Sequence, residues 1–217
     1  MKARTLSKTL LAGTMMLLVL ASISSVTALA DVPYEDLLNS PQNKVKNPAF
    51  QAGLDSWSIW GPGGTFAWFV DDAGLFGGKA VSITGGQDYD LVYQRIYNLE
   101  PGKKYYAFAW VKTSIRAKDC FARLTIAAYD RADQVIQYEY SREKGVPNSG
   151  GQTGVTGWQL HRVVYVPAKN VAYITIQGTS LGTWELDDQA WWTGFVFLPE
   201  EAVPAELKGP LVYSNEN

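Results

Sequence analysis

From residue 79 onward, apolar and polar positions alternate with a period of two in short runs separated by turn residues. The runs are KAVSITG (79–85), YDLVYQRIYNL (89–99), KYYAFAWVKTS (104–114), FARLTIAAYD (121–130), VIQYEY (135–140), WQLHRVVYVP (158–167), VAYITIQG (171–178) and FVFLP (195–199). They are rich in Val, Ile, Thr, Tyr, Phe and Trp, and Pro101-Gly102, Asp130 to Asp133 and Pro167 to Asn170 punctuate them. Many short strands at such spacing predict an all-β protein, a sandwich or barrel. A helical period is confined to one short turn at Tyr34 to Leu38, in a leader spanning residues 31–46. Residues 143–157, rich in Gly, Ser, Thr and Asn, read as a long loop, and residues 199–217, with three prolines, as an extended tail.

Because successive strand residues point to opposite sides, the runs can be split into faces. In 104–112, Tyr105, Ala107, Ala109 and Val111 oppose Tyr106, Phe108, Trp110 and Lys112. In 121–129, Ala122, Leu124, Ile126 and Ala128 oppose Phe121, Arg123, Thr125, Ala127 and Tyr129. In 171–177, Ala172, Ile174 and Ile176 oppose Val171, Tyr173, Thr175 and Gln177. The aliphatic faces predict the core. The others mix large rings with Arg, Thr and Gln, whereas a merely solvated face would carry few rings. Flat rings offer stacking area at small entropic cost, and amides, hydroxyls and guanidinium groups can meet ligand hydroxyls. Such a face suits a sugar, although a loop or a partner could equally cover it.

Residues 1–30 form an expected secretory signal, with Lys2, Arg4 and Lys8 before an apolar run and Ala28-Leu29-Ala30 at the cleavage point. The run is too short for a membrane span, and the mature chain is expected outside the cell from Asp31. Without the signal's three basic residues, 16 basic stand against 21 acidic side chains, a formal charge of −5. That balance argues against nucleic acid or an anionic membrane as partner. Cys120 is the single cysteine, so no intrachain disulfide forms, and its neighbours Phe121 and Leu124 suggest a small buried side chain.

Catalytic patterns are sparse. His161 is the single histidine and lies in a predicted strand, and no nucleophile elbow, phosphate loop or dinucleotide fingerprint occurs. The run ELDDQ (185–189) faintly resembles the paired-acid strand of β-sandwich endoglucanases. Gln189 stands where a proton donor is needed, and retaining hydrolysis requires two carboxyl groups.

NPAFQAGLDSWSIWG (47–61) resembles the opening of the jelly-roll carbohydrate-binding modules that bind xylan and β-glucan, within the galactose-binding-like superfamily. GKAVSITG, YQRIYNLEPGKKYYAFAWVKTS, RLTIAAYD, Trp158 with VYVPA, and LDDQ follow in the order found there. The resemblance covers residues 47–198. It implies a β-sandwich jelly roll in which Trp57 and Trp158 are structural and Trp60 and Trp68 less constrained. It also implies ligand groups on a concave sheet face, at Tyr89, with Tyr93 beside it, ahead of Gln94, and at Tyr129; the alternation of faces adds Trp110 and Arg123, and these with Gln94 complete the candidate set. Many such modules hold a structural calcium ion, which would draw on the acids Asp187 and Asp188. Gln51 replaces the glutamate expected after Phe50 and costs that site a charge, and alternation turns Asp188 inward.

The function so implied is a secreted, non-catalytic polysaccharide binder. The alternative is a structural subunit of an extracellular layer, fibre or complex, whose leader and tail pair with a neighbouring protein subunit's sheet edge.

Overall fold

The computed structural model describes residues 34–61, 66–70, 74–84, 89–146, 149–182 and 188–216. The signal segment, Asp187 and the side chain of Trp68 lie outside the described residues. A short helix, α1 (Tyr34–Leu38), precedes β1 (Ser58–Trp60), β2 (Phe66–Val70), β3 (Ala80–Thr84), β4 (Tyr89–Tyr97), β5 (Tyr105–Ser114), β6 (Phe121–Tyr129) and β7 (Val135–Tyr140). There follow β8 (Arg142–Glu143), β9 (Gln159–Tyr165), β10 (Tyr173–Leu181), β11 (Gln189–Pro199), a 3-10 turn (Glu200–Ala202), α2 (Ala205–Lys208) and β12 (Tyr213–Ser214). The chain is an all-β sandwich, as alternation predicts. One sheet runs β1-β4-β10-β6-β7, the other β2-β3-β11-β5-β9-β12-β8. Neighbours are antiparallel, except that β12 lies parallel to β9.

The predicted aliphatic faces meet between the sheets. Leu124, Ile126, Ile174 and Ile176 from the first sheet pack with Ala107, Ala109, Val111, Trp192 and Phe197 from the second. Gly178 on β10 lets the Trp192 ring lie against its backbone, since a Cβ there would come within 2.6 Å of the indole. Trp57 is buried on Phe50 and Phe195, and its Nε1–H donates to Asn47 O at 3.0 Å, so this tryptophan belongs to the core.

A bulge in β11 explains its mixed parity. Ala190 and Trp192 face the core at even positions, the register then shifts between Thr193 and Val196, and Phe195 and Phe197 face it at odd ones. Gly194, at φ 63°, takes the left-handed turn that this extra residue requires. Val196 and Leu198 are thereby turned to the outer side of the second sheet, where they join Tyr106 and Phe108 beneath Leu37 and Leu38 of α1 and Leu207 and Leu211 of the C-terminal segment.

Leader and tail therefore serve their own chain. The tail is not extended: Pro199 and Pro204 precede the 3-10 turn and α2, and β12 is inserted between β9 and β8. The buried Arg162 pins it. Its guanidinium donates to Leu207 O (2.9 Å), Gly209 O (2.7 Å) and Ser214 Oγ (3.2 Å) and pairs with Glu216 at 3.1 Å. Hydrogen bonds from a charged donor are each worth about 1.5–3 kcal/mol. Arg162→Ala is thus expected to lower stability by about 3 kcal/mol and to open residues 200–216 to proteolysis. Urea unfolding and limited digestion would check this, with Arg162→Lys failing to restore the wild-type pattern because one ammonium cannot span the same acceptors.

Candidate functional site

The outward face of the first sheet can be built row by row from its register. β4 sends Tyr89, Leu91, Tyr93, Arg95 and Tyr97 outward, β10 sends Tyr173, Thr175, Gln177 and Thr179, and β6 sends Arg123, Thr125, Ala127 and Tyr129. Trp60, Leu91, Thr179 and Arg123 form one row across the sheet. Tyr93, Gln177, Thr125 and Tyr140 form the next, then Arg95, Thr175, Ala127 and Tyr138, then Tyr97, Tyr173 and Tyr129. Rings thus stand along β1, β4 and β7 and in the row Tyr97, Tyr173 and Tyr129 across one end, while Thr, Gln, Leu91 and an alanine lie between them. The result is an open cleft of ≈ 270 Å³.

Its walls are ordered by ring packing. Tyr129 and Tyr173 stack at 4.7 Å and 6° between planes, Tyr97 leans on Tyr173 at 5.3 Å, and Trp60 meets Tyr89 edge-on at 5.6 Å. Trp60 remains 51% exposed, so its indole is a solvent-facing surface and not core. Hydrogen bonds set the floor. Tyr89 Oη donates to Gln177 Oε1 at 3.2 Å, Gln177 Nε2 donates to Thr175 Oγ1 at 2.6 Å, and Tyr173 Oη donates to Asp133 Oδ1 at 3.0 Å. Burial, and then the neighbouring Tyr138 and Tyr129, push the Tyr89 hydroxyl up to about 12, so it stays a neutral donor at ordinary pH. Arg123 lies 3.8 Å over the Tyr140 ring and 5.5 Å from that of Phe121.

The structure brings together only part of the expected set. Tyr89, Arg123 and Tyr129 share this face. Gln94 does not: it faces the sandwich interior, where its amide accepts from Lys46 N (2.8 Å) and donates to Lys46 O (2.9 Å), fastening the leader. Trp110 belongs to the other sheet, with its ring edge-on to Tyr34 and Phe76 beneath α1. Trp60, Arg95, Tyr138 and Tyr173 complete the cleft; the last three come from segments whose alternation is readable but whose strand neighbours are not, and Trp60 from a strand too short to show a period. Trp158, expected to be structural, is half-buried, and Lys112 lies 5.4 Å over its ring and 4.3 Å over that of Trp191.

Of the acids expected at a calcium site, Asp187 lies outside the described residues. Asp188 is buried as alternation indicates, but Oδ1 accepts from Arg116 N at 2.7 Å and Oδ2 from Ala117 N at 3.1 Å, which ties down the preceding loop. Gln51 is exposed on a turn. Among the described residues, no three His, Cys, Asp or Glu side chains cluster as metal ligands.

One Ser–His pair exists elsewhere. His161 Nδ1 lies 2.8 Å from Ser141 Oγ, its Nε2 lies 2.8 Å from Gln152 Oε1, and Tyr213 stacks on the ring at 4.3 Å. All three polar residues have zero exposure, so no substrate reaches them. Burial lowers the imidazole to about 3. A neutral ring that donates from Nε2 to the amide oxygen and accepts at Nδ1 from the hydroxyl satisfies every atom.

No protein-family profile matches the chain, and no curated protein matches its sequence. Solved structures do resemble it. The CBM22-1 xylan-binding domain of Paenibacillus barcinonensis Xyn10C aligns with a TM-score of 0.52 at 13% identity, covering 71% of this chain and 93% of that one. The stig cyclase Fisc from Fischerella sp. TAU aligns with a TM-score of 0.53 at 11% identity, covering 73% and 96%. The enzymatically active domain of bacteriophage CBA120 tailspike protein 4 aligns with a TM-score of 0.54 at 14% identity over 73% of this chain, which spans only 21% of that domain. The fold is therefore the β-sandwich jelly roll of carbohydrate-binding modules. The same architecture serves at least one cyclase, so function has to be argued from the cleft.

Proposed function

We propose that this chain is a secreted, non-catalytic polysaccharide-binding module that holds a glycan chain along the cleft of its five-stranded sheet. The observation that carries the reading is the composition of one sheet face. Exposed Trp60 and tyrosines of β4, β6, β7 and β10 line it together with Gln177 and Thr175. Rings suit the apolar faces of pyranoses and the polar side chains suit their hydroxyls, while the open ends leave room for a polymer to continue. The xylan-binding module among the structural neighbours is consistent with it. Among the described residues of this face, no two carboxyl groups stand where an acid/base pair would be needed for glycosidic cleavage.

The test is retention of the purified mature chain in native gels containing xylan, β-glucan, mannan or pectin. Retardation by at least one polymer is expected. No retardation by any of them, with the chain folded and migrating as a large assembly, would favour the extracellular-subunit alternative. Leader and tail are already engaged within their own chain, so that alternative would need another contact surface.

A further inference from the structure

The charge of the cleft narrows its ligand, given the reading of the cleft as a glycan site. The chain as a whole is acidic, with 21 Asp and Glu against 19 Lys and Arg. Yet the outward positions of the described strands of this face contain Arg95 and Arg123 and no Asp or Glu. The nearest rim acids are occupied: Asp130 Oδ1 accepts from Ala132 N and Gln134 N, and Asp133 accepts from the Tyr173 hydroxyl. Three cations elsewhere have carboxylate partners. Lys103 contacts Glu100 and Glu201, Lys104 contacts Glu200, and the buried Arg162 contacts Glu216. On this face Arg95 and Arg123 stack on rings, as Lys112 and Arg142 also do, the guanidinium of Arg95 lying 5.1 Å over Tyr173 and that of Arg123 3.8 Å over Tyr140.

Such stacking holds a guanidinium plane in place; the Tyr97 hydroxyl meets Arg95 and the Tyr140 hydroxyl meets Arg123, and the remaining N–H donors are left for an acceptor of matching geometry. Arg123 is the more demanding of the two. It is half-buried, and its Nε is buried with no hydrogen-bond partner among the described residues. A desolvated cation facing no carboxylate is costly unless an anion comes to it. The two arginines are also apart: they stand two strands from one another, about 10 Å at the usual strand spacing, and in rows two steps removed. A single small anion does not reach both, whereas an extended chain with recurring charges does.

We propose that the cleft selects a polysaccharide whose sugars carry carboxylates, that is, a uronate-bearing glycan, with Arg95 and Arg123 as the specificity-determining residues. Net attraction to the protein cannot supply this preference, because the chain is itself negative; the local face has to.

The experiment compares binding of the mature chain to glucuronoxylan and to the same polymer after reduction of its carboxyl groups to alcohols, by affinity electrophoresis and calorimetry. Binding about tenfold tighter to the carboxylated polymer is expected, as one charge-assisted contact would give, with the difference shrinking at about 0.5 M salt. Arg95→Gln, at an exposed position, is expected to bring the two polymers together. Equal affinity for both polymers would overturn the inference and leave the glycan reading standing. Binding to neither, by a chain shown folded by circular dichroism and retarded by none of the polymers in the native gels, would remove both. Tight binding of dextran sulfate and of glucuronoxylan that is unchanged in Tyr129→Ala would mean charge adsorption alone and would also overturn selection by the cleft.

Discussion

Tyr129→Ala is expected to weaken polysaccharide retention by about tenfold or more, as loss of a central aromatic anchor does in other binding surfaces. The ring both borders the cleft and forms the parallel stack with Tyr173 at 4.7 Å. Its removal takes away stacking area and frees Tyr173 to tilt towards the gap. Tyr129→Phe keeps the area and the stack, so it should bind within a few-fold of wild type. Tyr97→Ala, on the margin of the same row, is expected to fall between the two. Affinity electrophoresis on a retarding polymer, with folding checked by circular dichroism, separates these outcomes. Equal retention of Tyr129→Ala and wild type would mean that the stack belongs to the scaffold and not to the binding surface.

The second large effect concerns stability in acid. His161 is fully buried, and burial holds its imidazole at about 3 against 6.5 in the unfolded chain. The unfolded state therefore binds a proton that the folded state refuses. The neutral ring's contribution is complete above pH 6.5 and is lost as pH falls from 6.5 towards 3. Each pH unit well inside that window costs about 1.4 kcal/mol. Between pH 7 and pH 5 the loss is expected to be about 2 kcal/mol. Because this is the chain's single histidine, and carboxylates titrate mainly below that interval, urea unfolding at pH 7, 6 and 5 isolates it. His161→Gln should be less stable at pH 7 and nearly flat across the same interval. A wild-type stability that does not change from pH 7 to pH 5 would contradict the neutral buried ring and its hydrogen bonds to Ser141 and Gln152.

How much of this was legible in the sequence differs between fold and site. Alternation identified the core faces of β5, β6 and β10 correctly, because burial on one side leaves a period of two that survives without knowledge of the neighbours. It could not identify which strands share a sheet, and that is where Trp110 went astray. The outer face of β5 is as ring-rich as that of β6, but it is covered by Leu37, Leu38, Leu207 and Leu211 from the two extensions. Those leucines were the available signal, in segments read as leader and tail. Gln94 illustrates a different error. It stands five residues from Tyr89 on one strand, an odd spacing, so both cannot face the same side. The resemblance to known modules points the other way, and the structure sides with the parity.

Trp60 and Arg95 were hidden for a third reason. β1 has only three residues, too few to show a period, and its importance comes from pairing with β4, which sets Trp60 beside Leu91 and near Tyr89. Arg95 sits in a well-read strand, but an exposed arginine in an alternating run is ordinarily a solvated position. Only the register that places it beside Thr175, over the Tyr173 ring and within the cleft, gives it a function. The bulge at Gly194 was likewise unreadable, since the parity reversal it causes in β11 depends on pairing with β5.

The central claim is that the outward face of β4, β10 and β6 holds the glycan. Its most direct test is a titration of the isotopically labelled mature chain with an oligosaccharide from whichever polymer retards it, followed by amide and aromatic chemical shifts. The account predicts saturable shifts concentrated at Trp60, Tyr89, Tyr129, Tyr173 and Gln177, with the buried His161 and the outer face of the second sheet unmoved. Shifts centred on Trp158 and Trp191 of the second sheet, or none at saturating ligand, would contradict it.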